Sequence, residues 1–450
     1  MSKHPLNRRQ FLQNSALAGA GLSLLSGREV VAAQESGRVS ANDRITVGMI
    51  GVGARAQQLL SAILNIPGTE IVGVCDAYKG RLERAVERTG GRARVFPDYR
   101  QILSDKGIDV VVIGTPDHLH KNMAIDAVRA GKDVYIEKPL TYAVDEGNEI
   151  VAAVKSTGRI FQVGSQGISS AIQQKAREVI QSGALGQITM IRAFYNRNTP
   201  GGAWIYPIPP DASPETVDWE MFLGPAPKRP FSLERFFRWR CFWDYSGGIA
   251  TDLFVHLMTT IHYVMGVKMP AKATALAALY RWKETRDVPD TINAVLEYPE
   301  GFMVNLSGTF NNQMRDEGGF HILGTNASLI LGSSLTLIPE NVVDDNGWIV
   351  ESWPKKLQDQ YYKDPQVRKS EMPQTWPPAV ITGSQKWEGV GSDSTLIHLT
   401  NFFNSVKGRT EPVESALVGH RAAAVAHMVN EAARKEKTVR WDYQRETFKA

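Results

Sequence analysis

Residues 45–76 read ITVGMIGVGARAQQLLSAILNIPGTEIVGVCD, and the order of residue types along them decides what the first third of the chain becomes. Ile45, Val47, Met49 and Ile50 make a short apolar, partly β-branched run, the composition of a strand buried on both faces of a parallel sheet. Gly51, Gly53 and Ala56 then fall on a GxGxxA spacing. Gly51 permits a tight turn, Gly53 leaves no Cβ where a pyrophosphate must approach the backbone, and Ala56 is small enough to pack helix on strand. A helix starting there points its free N–H groups at phosphate. The second apolar run, 71–74, ends at Asp76, an acid placed to accept hydrogen bonds from ribose hydroxyls. A glycine pattern alone also describes an ordinary strand-to-helix turn, but here strand, turn, helix, strand and acid come in order, which reads as a dinucleotide site. Asp76 favours NAD, since its charge repels a 2′-phosphate; Lys79 and Arg81 lie close enough to keep NADP open.

The alternation continues beyond it. Helices are expected at 79–88, 99–104, 122–130 and 144–156, and strands at 95–96, 110–114, 133–136 and 160–163. This rhythm predicts an α/β Rossmann domain with a doubly wound parallel sheet over residues 44–165, ligands lying at the carboxyl ends of its strands. From 166 to 450 the texture changes. After a helix at 173–181 and a strand at 188–195 comes a Pro- and Trp-rich stretch, 198–230. Runs at 271–281, 291–298, 302–310, 318–323 and 327–331 read as consecutive strands of a large open, mostly antiparallel sheet. Residues 340–390 look like a surface excursion, and helices at 393–407 and 414–434 precede a last strand at 438–441. This second, α+β domain is expected to hold the substrate.

Hydrophobic content of 43% and charged content of 22% suit a soluble globular enzyme. The formal charge of +4 falls to +1 once residues 1–33 are set aside, and no basic stripe with interleaved aromatics is present, so no nucleic-acid partner is expected. Two cysteines, Cys75 and Cys241, with no CxxC or HExxH pattern, predict neither a disulfide framework nor a metal site. The N-terminus reads as an address: a twin-arginine pattern at 7–12, a weakly apolar stretch at 16–25, and small residues ending at Ala32 and Ala33. Residues 1–33 are therefore an expected export signal and 34–43 a loose tether. The apolar stretch is too short to span a bilayer, so no mature membrane anchor is expected, and the protein is placed in the periplasm or outside the cell.

Two constellations carry chemistry. Glu137-Lys138-Pro139 ends the strand at 133–136, where a lysine can donate to a substrate hydroxyl and stabilise a forming alkoxide, or else belong to a surface turn. In 247–256, GGIATDLFVH, Asp252 and His256 stand four apart, on one face of a helix, so a carboxylate can orient an imidazole that accepts a proton. His262 and His398 lack such a partner and read as structural.

These positions together resemble the Gfo/Idh/MocA family, the glucose-fructose oxidoreductase and inositol dehydrogenase group, over the chain from about residue 44 onward. The motifs are GVGARA at 51–56, TPDHLH at 115–120, AGKDVYIEKP at 130–139, SGALG at 182–186 and GGIATDLFVH at 247–256. The resemblance implies that Lys138 serves substrate and nicotinamide, that Asp252 and His256 form the catalytic pair, that Pro116, His120 and Glu137 line the cofactor cleft, and that the open sheet mediates a homo-oligomer. Where many relatives carry an aspartate three residues after the histidine, this chain has Thr259. Segments 218–227 and 238–246 resemble an exported subgroup with a longer substrate-side segment, in which Arg238, Arg240, Trp243 and Tyr245 are candidates to contact a sugar, or else core and surface-bridging residues.

The expected reaction is hydride transfer between a carbohydrate or polyol secondary alcohol and tightly bound NAD or NADP. Outside the cytoplasm no soluble nicotinamide supply is assured. Sugar-to-sugar exchange and glycoside cleavage through transient oxidation, both redox-neutral, are the alternatives that this constraint favours. A non-catalytic sugar-binding protein on a dehydrogenase fold is the third reading.

Overall fold

A computed structural model describes residues 44–449 apart from 315–318, 341–346, 365, 367–382, 390 and 392. The expected signal and tether, 1–43, lie outside the described residues.

Six strands form the first sheet: β1 (Ile45–Ile50), β2 (Thr69–Cys75), β3 (Arg94–Val95), β4 (Val110–Ile113), β5 (Asp133–Ile136) and β6 (Phe161–Val163). Their order is β3-β2-β1-β4-β5-β6, every pairing parallel. β4 and β5 are buried at every residue, as a strand covered on both faces must be. The order reverses between β1 and β4, which opens a crevice at their carboxyl ends.

The second sheet has ten strands, among them β7 (Ile188–Asn196), β8 (Lys272–Ala278), β9 (Thr291–Tyr298) and β10 (Phe302–Thr309). β7 and β10 pair in parallel and the other pairings are antiparallel, which makes the sheet mixed. β9 and β10 alternate buried and outward residues. Their inner faces pack on the helices Val255–Met265 and Ala416–Lys435, while Leu276, Val295 and Met303 stay exposed on the other side. Three strands escaped the sequence reading: Ser334–Pro339, Gln385–Glu388 and Thr447–Phe448. The last two are short and polar, with single aromatic residues in place of an apolar alternation.

The described residues from Ile45 onward form one compact unit. The cut expected at 165 separates the sheets but not the packing, because the helix Ser394–Gly408 returns to the first sheet. There Leu399, Phe402 and Phe403 bury against Leu59, Ile63 and Tyr135. Each fully buried phenylalanine contributes about 1.5–3 kcal/mol. Residues 199–246 likewise cross to the first sheet: Lys79 N–H donates to Thr216 O (3.0 Å), Asp218 N–H donates to Ala77 O (2.7 Å), and Tyr78, Val217, Phe222, Phe236, Phe237 and Tyr245 share one apolar cluster.

Candidate functional site

The carboxyl ends of β1, β2, β4 and β5 open into a cleft of ≈ 330 Å3, walled by Gly51, Gly53, Asp76, Pro116, Glu137 and Lys138 on one side and by Tyr206, Phe236, Phe237, Trp239 and Arg240 on the other. Gly51 has φ +77, and a Cβ there would lie 2.8–2.9 Å from Thr115 and the Gly114 carbonyl carbon, so the turn admits glycine only. A Cβ on Gly53 would meet nothing nearer than the Arg81 guanidinium at 3.6 Å, which leaves the backbone open to the cleft. Ala56 is fully buried, and a Cβ on Gly114 would sit only 3.0 Å from its own, the close helix–strand contact its small size allows. The helix Ala54–Ile63 begins at Gly53 without a side-chain cap or an acid in its first turn, so its leading N–H groups remain for an anion. This cradle fits a dinucleotide pyrophosphate. Asp76 accepts hydrogen bonds from Val52 N–H (2.7 Å) and Tyr78 N–H (2.9 Å) and lies 3.5 Å from Arg81, whose guanidinium covers the rings of Phe236 and Phe237.

At the far rim the charges interlock. Lys138 Nζ donates to the carboxylate and to the main-chain oxygen of Asp252, both at 2.8 Å, and Arg240 Nε donates to the same carboxylate oxygen at 2.9 Å. Burial pushes the Asp252 carboxyl up, but the two cations overcome it and hold it far below the usual carboxylate range. Glu137 pairs with Arg55 Nε at 2.9 Å across the glycine turn.

His256 faces a second cavity of ≈ 190 Å3 with Ser165, Gln166, Gln173, Tyr195, Thr259 and Thr260. Burial, then the charge on Lys138, pulls its pKa down to about 3, so the ring is neutral through the physiological range. Asp252 and His256 share no hydrogen bond among the described residues: the Asp252 side chain bonds to Lys138 and Arg240, and its charge acts on the imidazole by opposing the fall in its pKa. The cause is local geometry. Ala250–Phe254 is a π-helix turn, so the four-residue spacing no longer stacks the two side chains as an α-helix does.

Other expected residues are displaced from the cleft. His120 is fully buried behind it, its ring nitrogens 2.7 Å from Pro139 O and 2.9 Å from Thr115 O, so it braces the loops that carry Pro116 and Lys138 and does not line the cleft itself. Tyr245 is fully buried against His118 and Phe222, which removes it from any sugar. The Trp243 ring lies under the Arg434 guanidinium at 4.9 Å, and Arg238 Nε donates to Tyr206 O at 2.9 Å; neither lines the cleft. Of the four, Arg240 alone reaches it. Two acids escaped the sequence reading. Asp117 is buried beside Arg240, Asp252 and Lys138, and burial raises its pKa to about 7. It sits inside the TPDHLH motif, so the signal was present. Glu414 is fully buried against Ser165 and Thr259, in a segment with no motif.

Comparison with known proteins agrees with this geometry. Residues 45–165 match the family model described as "Oxidoreductase family, NAD-binding Rossmann fold", and 222–330 match the "GFO/IDH/MocA C-terminal domain". An inositol 2-dehydrogenase of Salmonella typhimurium is 29% identical over 158 residues, 34% of this chain and 47% of the relative. An alpha-N-acetylgalactosaminidase of Shewanella oneidensis is 30% identical over 174 residues, 34% of this chain and 38% of the relative. The matches thus span half or less of these curated relatives. A levoglucosan dehydrogenase solved with NADH and levoglucosan shares the fold, with a TM-score of 0.63 at 21% identity over 88% of this chain and 99% of that one.

Proposed function

Because the chain belongs to the Gfo/Idh/MocA oxidoreductase family, we propose that it moves hydride between a secondary alcohol of a carbohydrate or polyol and a bound nicotinamide dinucleotide. The observation that carries this reading is Lys138, held by Asp252 at 2.8 Å where the dinucleotide cleft meets the ground next to His256. Bound nicotinamide supplies the hydride acceptor and, reduced, the donor. Lys138 donates to the alcohol oxygen and steadies the charge that grows there. His256, neutral and half-buried, accepts the hydroxyl proton. Its low basicity suffices, because as hydride departs the C–OH group becomes a protonated carbonyl, a far stronger acid than an alcohol. Asp252 fixes the Lys138 ammonium, and Arg240 holds that same carboxylate in place. NAD is favoured by Asp76, and Arg81 beside it keeps NADP within reach. The test is nicotinamide absorbance across a panel of sugars and polyols that includes myo-inositol. No cofactor reduction by any of them, with Lys138→Ala indistinguishable from the parent, rejects the reading.

A second reading, redox-neutral turnover with the cofactor retained, is favoured by residues 199–246, which wall the cleft from the side opposite the sheet. Retention suits a protein carrying the twin-arginine pattern, since that route exports folded chains and the cofactor is loaded beforehand. We place the mature protein outside the cytoplasm on that pattern, and the exposed face of the ten-stranded sheet in a homo-oligomer. Mass spectrometry of small molecules released from the purified protein tests retention. Aglycone release without net cofactor change selects glycoside cleavage, and a requirement for a second sugar selects exchange.

A further inference from the structure

Glu414 lies in the segment before the helix Ala416–Lys435 and has no exposed surface. Its Oε2 accepts the Ser165 N–H at 3.0 Å, and its main-chain oxygen accepts the Val163 N–H at 2.9 Å. These two bonds pin the end of β6, and a structural role accounts for both. It does not account for Oε1. That atom lies 3.4 Å from Thr259 Oγ1, and the Ser165 side chain also bonds to the carboxyl. Thr259 already spends its hydroxyl proton on Val255 O at 2.9 Å, so the contact is satisfied when the carboxyl is the donor. Thr259 Oγ1 also lies 3.4 Å from Ser165 Oγ, and both residues wall the cavity that His256 faces.

We propose that Glu414 is the proton store of the His256 cavity, exchanging its proton with that space through the hydroxyls of Thr259 and Ser165. No cation stands within ion-pair distance of it among the described residues. The titratable groups that act on it are Glu137 and Tyr135 from β5; His398 bonds to the same Val163, and the helix that carries Thr259 also bears His256 and His262. Glu137 is paired with Arg55, His398 spends its ring nitrogens on Ser169 and Val163, and His262 bonds to the Tyr298 hydroxyl. Burial, with a further push from Glu137, raises the Glu414 pKa to about 8, so the store is full at neutral pH.

The use of the proton rests on the hydride reading above; its route rests on geometry alone. Reduction of a ketone needs a hydride on carbon, from reduced nicotinamide, and a proton on oxygen. As the neutral His256 gives an N–H proton to that oxygen it accepts another from the Thr259 hydroxyl, so the ring stays neutral, and Thr259 takes its replacement from Glu414, which is left as a carboxylate. Oxidation runs the chain backward, and Glu414 ends protonated.

The experiment uses the full chain loaded with NAD and needs no substrate. Infrared difference spectra between pH 6 and 9 are expected to show a protonated-carboxyl carbonyl band that vanishes with a midpoint near 8 and is missing from Glu414→Gln. On transfer to D2O the band shifts promptly in the parent protein and slowly in Thr259→Val, whose methyl breaks the hydroxyl path. A spectrum unchanged by Glu414→Gln overturns the proposal. So does deuterium exchange that is equally fast in Thr259→Val. Should Glu414→Gln fail to fold, the Thr259→Val exchange rate still decides. In single-turnover reduction, the fall in rate as pH rises through 8 is expected to disappear in Glu414→Gln; if no sugar or polyol reacts, the hydride reading falls while the infrared result stands on its own.

Discussion

Replacing Asp252 by Asn removes one negative charge from between two buried cations and changes little else in shape. Lys138 and Arg240 both lose their counter-charge, and their side chains are only 10% and 23% exposed, so water replaces little of what is lost. Breaking a buried pair in this way costs about 3–5 kcal/mol. With an unfolding entropy of about 2.1 cal/mol/K per residue, a folded unit of about 400 residues loses about 4–6 °C in Tm. The sign with pH follows from the direction of the shift. The folded carboxyl titrates well below its unfolded value, so the stabilisation is complete above about pH 4 and fades as acid protonates it. Calorimetry at pH 7 should therefore show the full deficit, and lowering the pH through the acid range should narrow it. Adding Lys138→Met to Asp252→Asn removes one of the two stranded cations, so the double variant should be less destabilised than the two single losses combined. A Tm within a degree of the parent at pH 7, or strict additivity in the pair, refutes the account of an interlocked charge cluster.

Seven histidines, at 118, 120, 256, 262, 398, 420 and 427, are held by burial below their ordinary pKa. The unfolded chain therefore binds more protons than the folded one between about pH 6.5 and 4, and Tm should drop steeply across that window; a flat profile contradicts it. Gly51→Ala forces a left-handed residue against the Gly114–Thr115 backbone at a cost of about 1–2 kcal/mol or more, and the purified protein should carry no dinucleotide by mass spectrometry. Lys138→Ala should slow hydride transfer by roughly 10²–10⁴-fold while bound nucleotide is retained, read by single-turnover absorbance. Phe236→Ala with Phe237→Ala strips the rings beneath Arg81, and bound nucleotide should then be lost on dialysis where the parent keeps it.

The first sheet was legible because each of its signals is local. The run 45–50, the turn at Gly51 and the acid at 76 act within one strand–helix–strand unit, and the structure forms each where it was read. Lys138 was legible for the same reason, as the charged residue just past a fully buried strand. What failed was what depends on departures from ideal periodicity or on distant chain. A π-helix turn at 250–254 has no marker in ATDLF, so the stacking of Asp252 and His256 drawn from 3.6-residue geometry gave no hydrogen bond between them among the described residues. Tyr245 and Trp243 have the composition of a sugar platform, yet their surroundings come from Phe222, His118 and Arg434, residues far off in sequence. Glu414 lies 155 positions from Thr259, and no pattern within its own segment foretells the meeting.

The return of Ser394–Gly408 to the first sheet has a consequence for the order of events at the ribosome. The nucleotide-binding half is translated early, but the face formed by Ile63 and Tyr135 stays bare until Phe402 and Phe403 have emerged. Its assembly thus waits for a late part of the chain. A chain halted before residue 394 should expose that oily surface to chaperones and proteases, because the helix that covers it would be missing.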